Sequence, residues 1–177
     1  FILLSGSGFC QKVVQERPYR DAFLEAYDNY QNKNYALSFE QFSTFIEAYC
    51  DNDNAFLQDA FFFKAAASCQ MMNNDADALL LSYINRYPQS LHTNDAYFLL
   101  ANFYTQNNQY DKALSVYRQM NTSVLDQEKK YEYAYKYGHS LFMQGNYDEA
   151  LIEFDKVKDA KSKYAAPSTY FYAHILY

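Results

Sequence analysis

The sequence has no tryptophan, and only four glycines and three prolines among 177 residues. So few breakers exclude a turn-rich β fold and a Gly/Pro-rich disordered chain. The three cysteines, Cys10, Cys50 and Cys69, include no Cys-x-x-Cys pair, so the usual zinc spacings are absent. Cys50 is expected to close one helix, and Cys69 to lie near the far end of the next, antiparallel one. At 1.5 Å rise per residue that is a separation of roughly 15 Å or more, beyond a disulfide. Cations are also short: 15 Lys and Arg stand against 21 Asp and Glu, for a formal net charge of −6 and a pI near 5.0. Phosphate neutralisation needs clustered Lys and Arg, so nucleic acid is not an expected partner. The one local excess is Lys156, Lys158, Lys161 and Lys163. It falls where a helix should end, and cations there complement the helix dipole. No apolar run approaches the ~20 residues of a membrane span.

A catalytic constellation is missing too. His92, His139 and His174 have no Ser, Cys or carboxylate partner at a recognised spacing, and no Gly-rich phosphate loop occurs. His139 and His174 are 35 residues apart, which makes two surface imidazoles rather than a metal site. Asp51-Asn52-Asp53-Asn54 resembles the first half of a calcium loop but lacks its central Gly and closing Glu. Capping and turn roles are expected there. No enzyme, cofactor or metal is expected.

What the chain has in excess is tyrosine (20) and phenylalanine (15), set at helical spacing. Ala22, Phe23, Ala26, Tyr27 and Tyr30 follow the i, i+3, i+4, i+7 rule, as do Tyr97, Leu100, Ala101 and Tyr104. The pattern predicts helices over 18–32, 35–50, 54–72, 75–87, 93–107, 109–120, 126–144, 147–158 and 167–177. Four small residues each precede a second small residue by twelve positions: Ala26 and Ser38, Ala66 and Ala78, Ala101 and Ala113, Gly138 and Ala150. One small residue per helix lets two backbones approach as an antiparallel pair. Repeating the pair builds a solenoid whose units bury apolar faces only against their neighbours. Asn74, Asn108 and Asn146, each three residues before an acid, are expected to be N-caps. No linker or domain boundary is visible within 18–177. An aromatic column also recurs three residues before each small residue: Phe23, Phe63, Phe98, Tyr135 and Tyr170. Core packing remains an alternative reading of it, above all for Phe63 and Phe98. Tyr135 and Tyr170 carry hydroxyls that need partners or water.

Residues 1–17 read differently. Phe1-Ile2-Leu3-Leu4 is apolar, Ser5 to Gly8 is small, and Gly8-Phe9-Cys10 follows. This reads as the tail of a secretory signal peptide, with an apolar tail packed on the first helices as the alternative. The chain is therefore expected to be exported, periplasmic or outer-membrane associated.

The repeating units resemble the tetratricopeptide repeat, in which a helix with a large residue, a small residue and an aromatic precedes a second helix with Ala and an aromatic. The third unit shows it best, with Tyr97, Leu100-Ala101, Tyr104, Tyr110, Ala113 and Tyr117. The fourth has Tyr137-Gly138, Leu141, Tyr147, Ala150 and Phe154. Tyr172-Ala173 and Leu176 look like the first helix of a fifth unit. The resemblance implies an all-α, right-handed αα-superhelix of about four helix pairs plus one terminal helix. Its repeats lie near 18–50, 54–88, 93–120 and 126–158, with a partial one at 167–177. Tyr87-Pro88-Gln89-Ser90 with Asp95-Ala96-Tyr97 is similar to bacterial periplasmic repeat proteins of the Tol–Pal and β-barrel-assembly systems.

The resemblance also implies a binding surface. In such arrays the aromatic column faces the concave groove, and the residues one after each small residue line it: Tyr27, Ala67, Asn102, His139 and His174. The candidate partner-binding residues are Phe63, Phe98, Asn102, Tyr135, His139, Tyr170 and His174. Family members that clamp a carboxylate terminus use Lys, Arg and Asn in these columns, and the aromatic, mildly acidic columns here disfavour that mode. A protein or peptide partner is expected. A glycan-binding surface and a self-associating array through the C-terminal helix are the alternatives.

Overall fold

The computed structural model describes the backbone of residues 8–50 and 54–177 and the side chains of 18–50 and 54–177. Among the described residues there is no strand, and the helices run in order α1 (Gly8–Gln31), α2 (Tyr35–Tyr49), α3 (Ala55–Gln70), α4 (Ala76–Arg86), α5 (Thr93–Gln106), α6 (Tyr110–Tyr117), α7 (Gln127–Met143), α8 (Tyr147–Asp155) and α9 (Ala165–Leu176), with a 3-10 turn at Thr122–Val124. The chain falls into two compact units, 1–90 and 91–177. In the first, α2 packs between α1 and α3, and α4 lies on α3. In the second, α5 and α6, then α7 and α8, form antiparallel pairs, and α9 lies on α7 and α8. Helix α1 begins ten residues before the expected start, with Pro18 inside it. The signal-peptide reading of Phe1–Ser7, the side chain of Cys10 and the turn 51–53 lie outside the described residues.

The small residues sit where helices cross. Ala26, Ala101, Ala113 and Ala150 are fully buried, and Ser38 Oγ donates to the Ala26 carbonyl at 3.0 Å. The twelve-residue pairing fails in the second repeat, however, because Ala78 is exposed. The turns explain why. Each of the four pairs turns through one residue of positive φ: Lys33 (62°), Met72 (55°), Asn108 (56°) and Gly145 (77°). The next residue's N–H then bonds back five residues: Asn34 to Asn29, Asn73 to Ser68, Gln109 to Tyr104 and Asn146 to Leu141, at 2.8–3.1 Å. This left-handed clasp satisfies carbonyls that the helix end would otherwise leave open.

Counting back seven residues from each clasp gives Ala26, Ala65, Ala101 and Gly138, so Ala65 rather than Ala66 heads the second repeat. Asn34, Gln109 and Asn146 cap the next helix directly after the clasp, but in the second repeat the N-cap is Asp75, three residues on. The second turn is thus two residues longer, and buried Ala76 fills the bend.

The capping expectation is corrected by the same geometry. Asn108 is the clasp residue of α5, and its Oδ1 accepts from the Tyr110 hydroxyl at 2.8 Å. Asn74 is not an N-cap, and Asn146 is one by position but makes no side-chain cap bond. In turns this short the N-cap backbone lies near φ −80° to −90°, ψ about 60°, too bent for the side chain to reach back. Side-chain caps occur instead at Asn54, accepting from Leu57 N at 3.2 Å, and Asp126, accepting from Lys129 N at 2.8 Å. Both have extended cap backbones.

Met72 pays the steric cost of the left-handed region with a long, part-exposed side chain. Met72→Gly should raise stability by about 0.5–1 kcal/mol, after the added chain entropy of glycine is set against the relieved strain. Thermal melts of the two proteins check this; a lower melting temperature for the glycine variant would remove the clasp argument.

Candidate functional site

Two first-of-pair helices, α5 and α7, lie side by side in the second unit. The open face between them forms a trough of about 190 Å³ lined by Asn102, Thr105, Gln106, Tyr135, Lys136 and His139. Three of the expected site residues, Asn102, Tyr135 and His139, therefore meet here. Thr105, Gln106 and Lys136 were missed. The signal was available: Thr105 and Gln106 follow Asn102 by three and four residues, and Lys136 precedes His139 by three, so each shares a helix face with a residue already chosen.

The trough's polar groups are fixed from behind. Tyr117 is fully buried, and its hydroxyl donates to Asn102 Oδ1 at 3.0 Å, which leaves the Asn102 Nδ2 as a donor. Burial pushes the Tyr117 phenol well above its ordinary range, so it stays protonated. Thr105 Oγ1 donates to the Ala101 carbonyl at 2.9 Å. Lys136 Nζ pairs with Glu132 at 2.6 Å and lies 5.1 Å over the Phe98 ring. Its charge is thus balanced before any ligand arrives, which leaves no net cation to clamp a carboxylate.

The walls are aromatic. Tyr135 stacks on Tyr164 at 5.5 Å and lies 6.4–6.5 Å from Phe154 and Phe171. It belongs to the trough on one side and to the core on the other. His139 is half-buried, with Tyr110 and Tyr135 each at 6.3 Å and Phe171 edge-on at 5.2 Å. Burial lowers its pKa below 6.5, so it faces the trough as a neutral imidazole near pH 7. The trough therefore offers neutral donors and acceptors between rings, suited to an uncharged polar segment with apolar side chains.

The lowered His139 pKa has a consequence with a definite sign. Between its folded value and 6.5 the unfolded chain binds more protons than the folded one, so stability falls as pH drops through that window. His139→Gln should flatten this part of the stability–pH curve. Melts of both proteins from about pH 8 to 5 test it, and parallel curves would mean that burial does not govern this histidine.

The other expected residues are elsewhere. Tyr170 and His174 lie exposed on α9, stacked parallel at 6.1 Å, and do not line the trough. Phe98 does not line the trough; it lies under Lys136 and edge-on to Tyr117 at 6.5 Å. Phe63, in the first unit, packs among Tyr27, Tyr30 and Phe42 at 4.9–5.8 Å. With Ala65 as the head of its repeat, the column position passes to the buried Phe62. Among the described residues no group of three or more His, Cys, Asp and Glu could hold a metal, and no helix is long and apolar enough to cross a membrane. Cys50 is exposed and Cys69 buried, its thiol pushed up to about 11 by burial.

Antiparallel pairs closed by a common clasp, with small residues at the crossings, decide the repeat type. These are TPR-like repeats. The profile of the anaphase-promoting complex (cyclosome) subunit 3 family matches residues 71–157. Among solved structures, the chain is similar to TPR-like repeats of a kinesin light chain candidate from Podosopora anserina. That match has a TM-score of 0.68 at 14% identity, covering 89% of this chain and 84% of the other. It is also similar to MamA, with a TM-score of 0.63 at 18% identity, covering 93% of this chain and 86% of MamA. No curated protein sequence matches. The TPR-like repeats are therefore firm as a fold, and all-α as expected.

Proposed function

We propose that this protein is a non-enzymatic interaction scaffold of the bacterial cell envelope, holding a segment of a protein partner in the trough of residues 91–177. The observation that carries the reading is the trough itself. Asn102, Tyr135 and His139 converge on one open face, with Asn102 held from behind by the buried Tyr117 hydroxyl. Pre-fixed amides and rings lower the ordering cost of binding an extended segment. The TPR-like fold supports a protein partner. The apolar start at Phe1–Leu4 and the Tyr87–Tyr97 segment support export and an envelope location, in line with the Tol–Pal and β-barrel-assembly likeness of that segment.

The test is affinity capture from a solubilised envelope fraction, comparing the wild type with Asn102→Ala/His139→Ala. Capture should fall at least about tenfold, since truncating interface anchors commonly costs more than ~1 kcal/mol each, while the helical signal stays unchanged. Wild-type capture by the double variant would sink the trough reading. Captured material that resists protease and yields to glycosidase would favour a glycan ligand instead.

A further inference from the structure

We propose that a second copy of this chain docks its α9 into the groove between α1 and α2, so that copies associate through two different surfaces. The inference uses neither the trough nor its ligand. The groove measures about 390 Å³ and is lined by apolar Ala22, Leu37, Phe45 and Ala48, of which Phe45 is buried, together with Glu25 and Glu40. The other side of the same helix pair is filled by α3. In the second unit the α7–α8 pair is likewise filled by a helix, α9, with Phe171 stacked on Phe154 at 5.5 Å. The shape that closes a paired-helix groove in this protein is a helix. Alanines at 22 and 48 leave room for its backbone, as the small residues do at the internal crossings.

Charge selects which helix. Glu25 and Glu40 are the charged residues of the groove's lining; exposed Asp21 and Glu47 lie next to Ala22 and Ala48 in sequence, and neither they nor Arg20 and Lys33, the cations of residues 18–50, line it. Helix α9 has the complementary properties. Tyr170 (65% exposed), His174 and Leu176 (60% exposed) form its outward face, and exposed Lys161 and Lys163 precede its start. The charge is lopsided along the chain: residues 18–90 carry four Lys and Arg against ten Asp and Glu, and residues 91–177 nine against ten. Groove-to-groove pairing would bring two acidic faces together, whereas groove-to-helix pairing brings unlike faces together. Such a contact joins two different surfaces, so a bound pair still offers one free groove and one free helix.

Sedimentation of the 177-residue chain tests this. The mass should climb above the 20.8 kDa monomer with concentration, and added salt should lower it. A groove variant, Glu40→Lys with Ala48→Arg, and a helix variant, Tyr170→Glu with Leu176→Glu, change only exposed positions, and circular dichroism confirms that each folds. Each alone should associate at least about tenfold more weakly than wild type. An equimolar mixture should give a dimer and nothing larger, because one intact helix then meets one intact groove. Single Glu40→Lys serves if the double groove variant is not helical. A wild type that stays monomeric at every concentration overturns the proposal, as do variants that associate like wild type or a mixture that stays at monomer mass.

Discussion

Phe154→Ala is expected to cost about 3–5 kcal/mol and to lower the melting temperature by roughly 10 °C or more. Phe154 is fully buried on α8 and holds three helices together. Its ring stacks on Phe171 of α9 at 5.5 Å and lies 6.4 Å from Tyr135 of α7. It shares a core cluster with Leu114, Leu141 and Ala150. Truncation removes the ring's burial and leaves a cavity that rigid neighbouring helices cannot close. The loss should also reach function, because Tyr135 forms a wall of the trough. Phe154→Leu, which keeps most of the volume, should recover much of the stability. Equilibrium denaturation of the three proteins decides the matter; an Ala variant within about 1 kcal/mol of wild type would mean that the α7–α8–α9 contact is not packed as described.

Gly138→Leu is the second large effect, in the opposite steric sense. A Cβ at Gly138 would lie 3.1 Å from Glu153 Cβ and 3.1–3.2 Å from the Phe154 ring. Glu153 Cβ is fixed to the α8 backbone, so it cannot swing away, and its carboxylate is already tied to Lys156 at 2.7 Å. A leucine must therefore push α8 off α7, at about 1–3 kcal/mol or more. Gly138→Ala sets the tight contact against a gain in helix propensity of about 1 kcal/mol, and should come out near neutral. A graded series, with the wild type near the alanine variant and both well above the leucine variant, is the expected ordering of melting temperatures. Equal melting of the wild type and the Gly138→Leu protein would place this residue off the crossing.

The helices were legible because their apolar spacing is dense and breakers are rare: all nine expected segments have counterparts among the described residues. The crossings at Ala26, Ala101 and Gly138 were legible for the same reason. The second repeat was misread by one residue because Phe61-Phe62-Phe63 and Ala65-Ala66-Ala67 offer several equivalent choices of register. Sequence spacing cannot rank them, and the backbone clasp at Met72 can. The missed caps have a related cause. An Asn three residues before an acid fits an N-cap, but Asn also tolerates positive φ, and in a tight turn the second use wins at Asn108. Of the trough's lining, Asn102, Tyr135 and His139 had been singled out from their columns. Lys136 shares the α7 face of His139, three residues before it, but falls in neither column and so was passed over; its pairing with Glu132 and its place over Phe98 come only from the structure.

The clasp at the four turns is made from main-chain groups, and lysine, methionine, asparagine and glycine all occupy its left-handed position. What is held constant from unit to unit is thus a hairpin shape rather than a spelling. The second hairpin has already absorbed two additional residues, Asn74 and Asp75, without losing the clasp before them or the buried face of α4 after them. That makes the Asn73–Asp75 bend the natural splice point of the chain. A short tag or fluorophore-bearing loop grafted there would sit on a joint that tolerates length, while the same graft at Asn34, Gln109 or Asn146 would pull a helix cap away from its clasp.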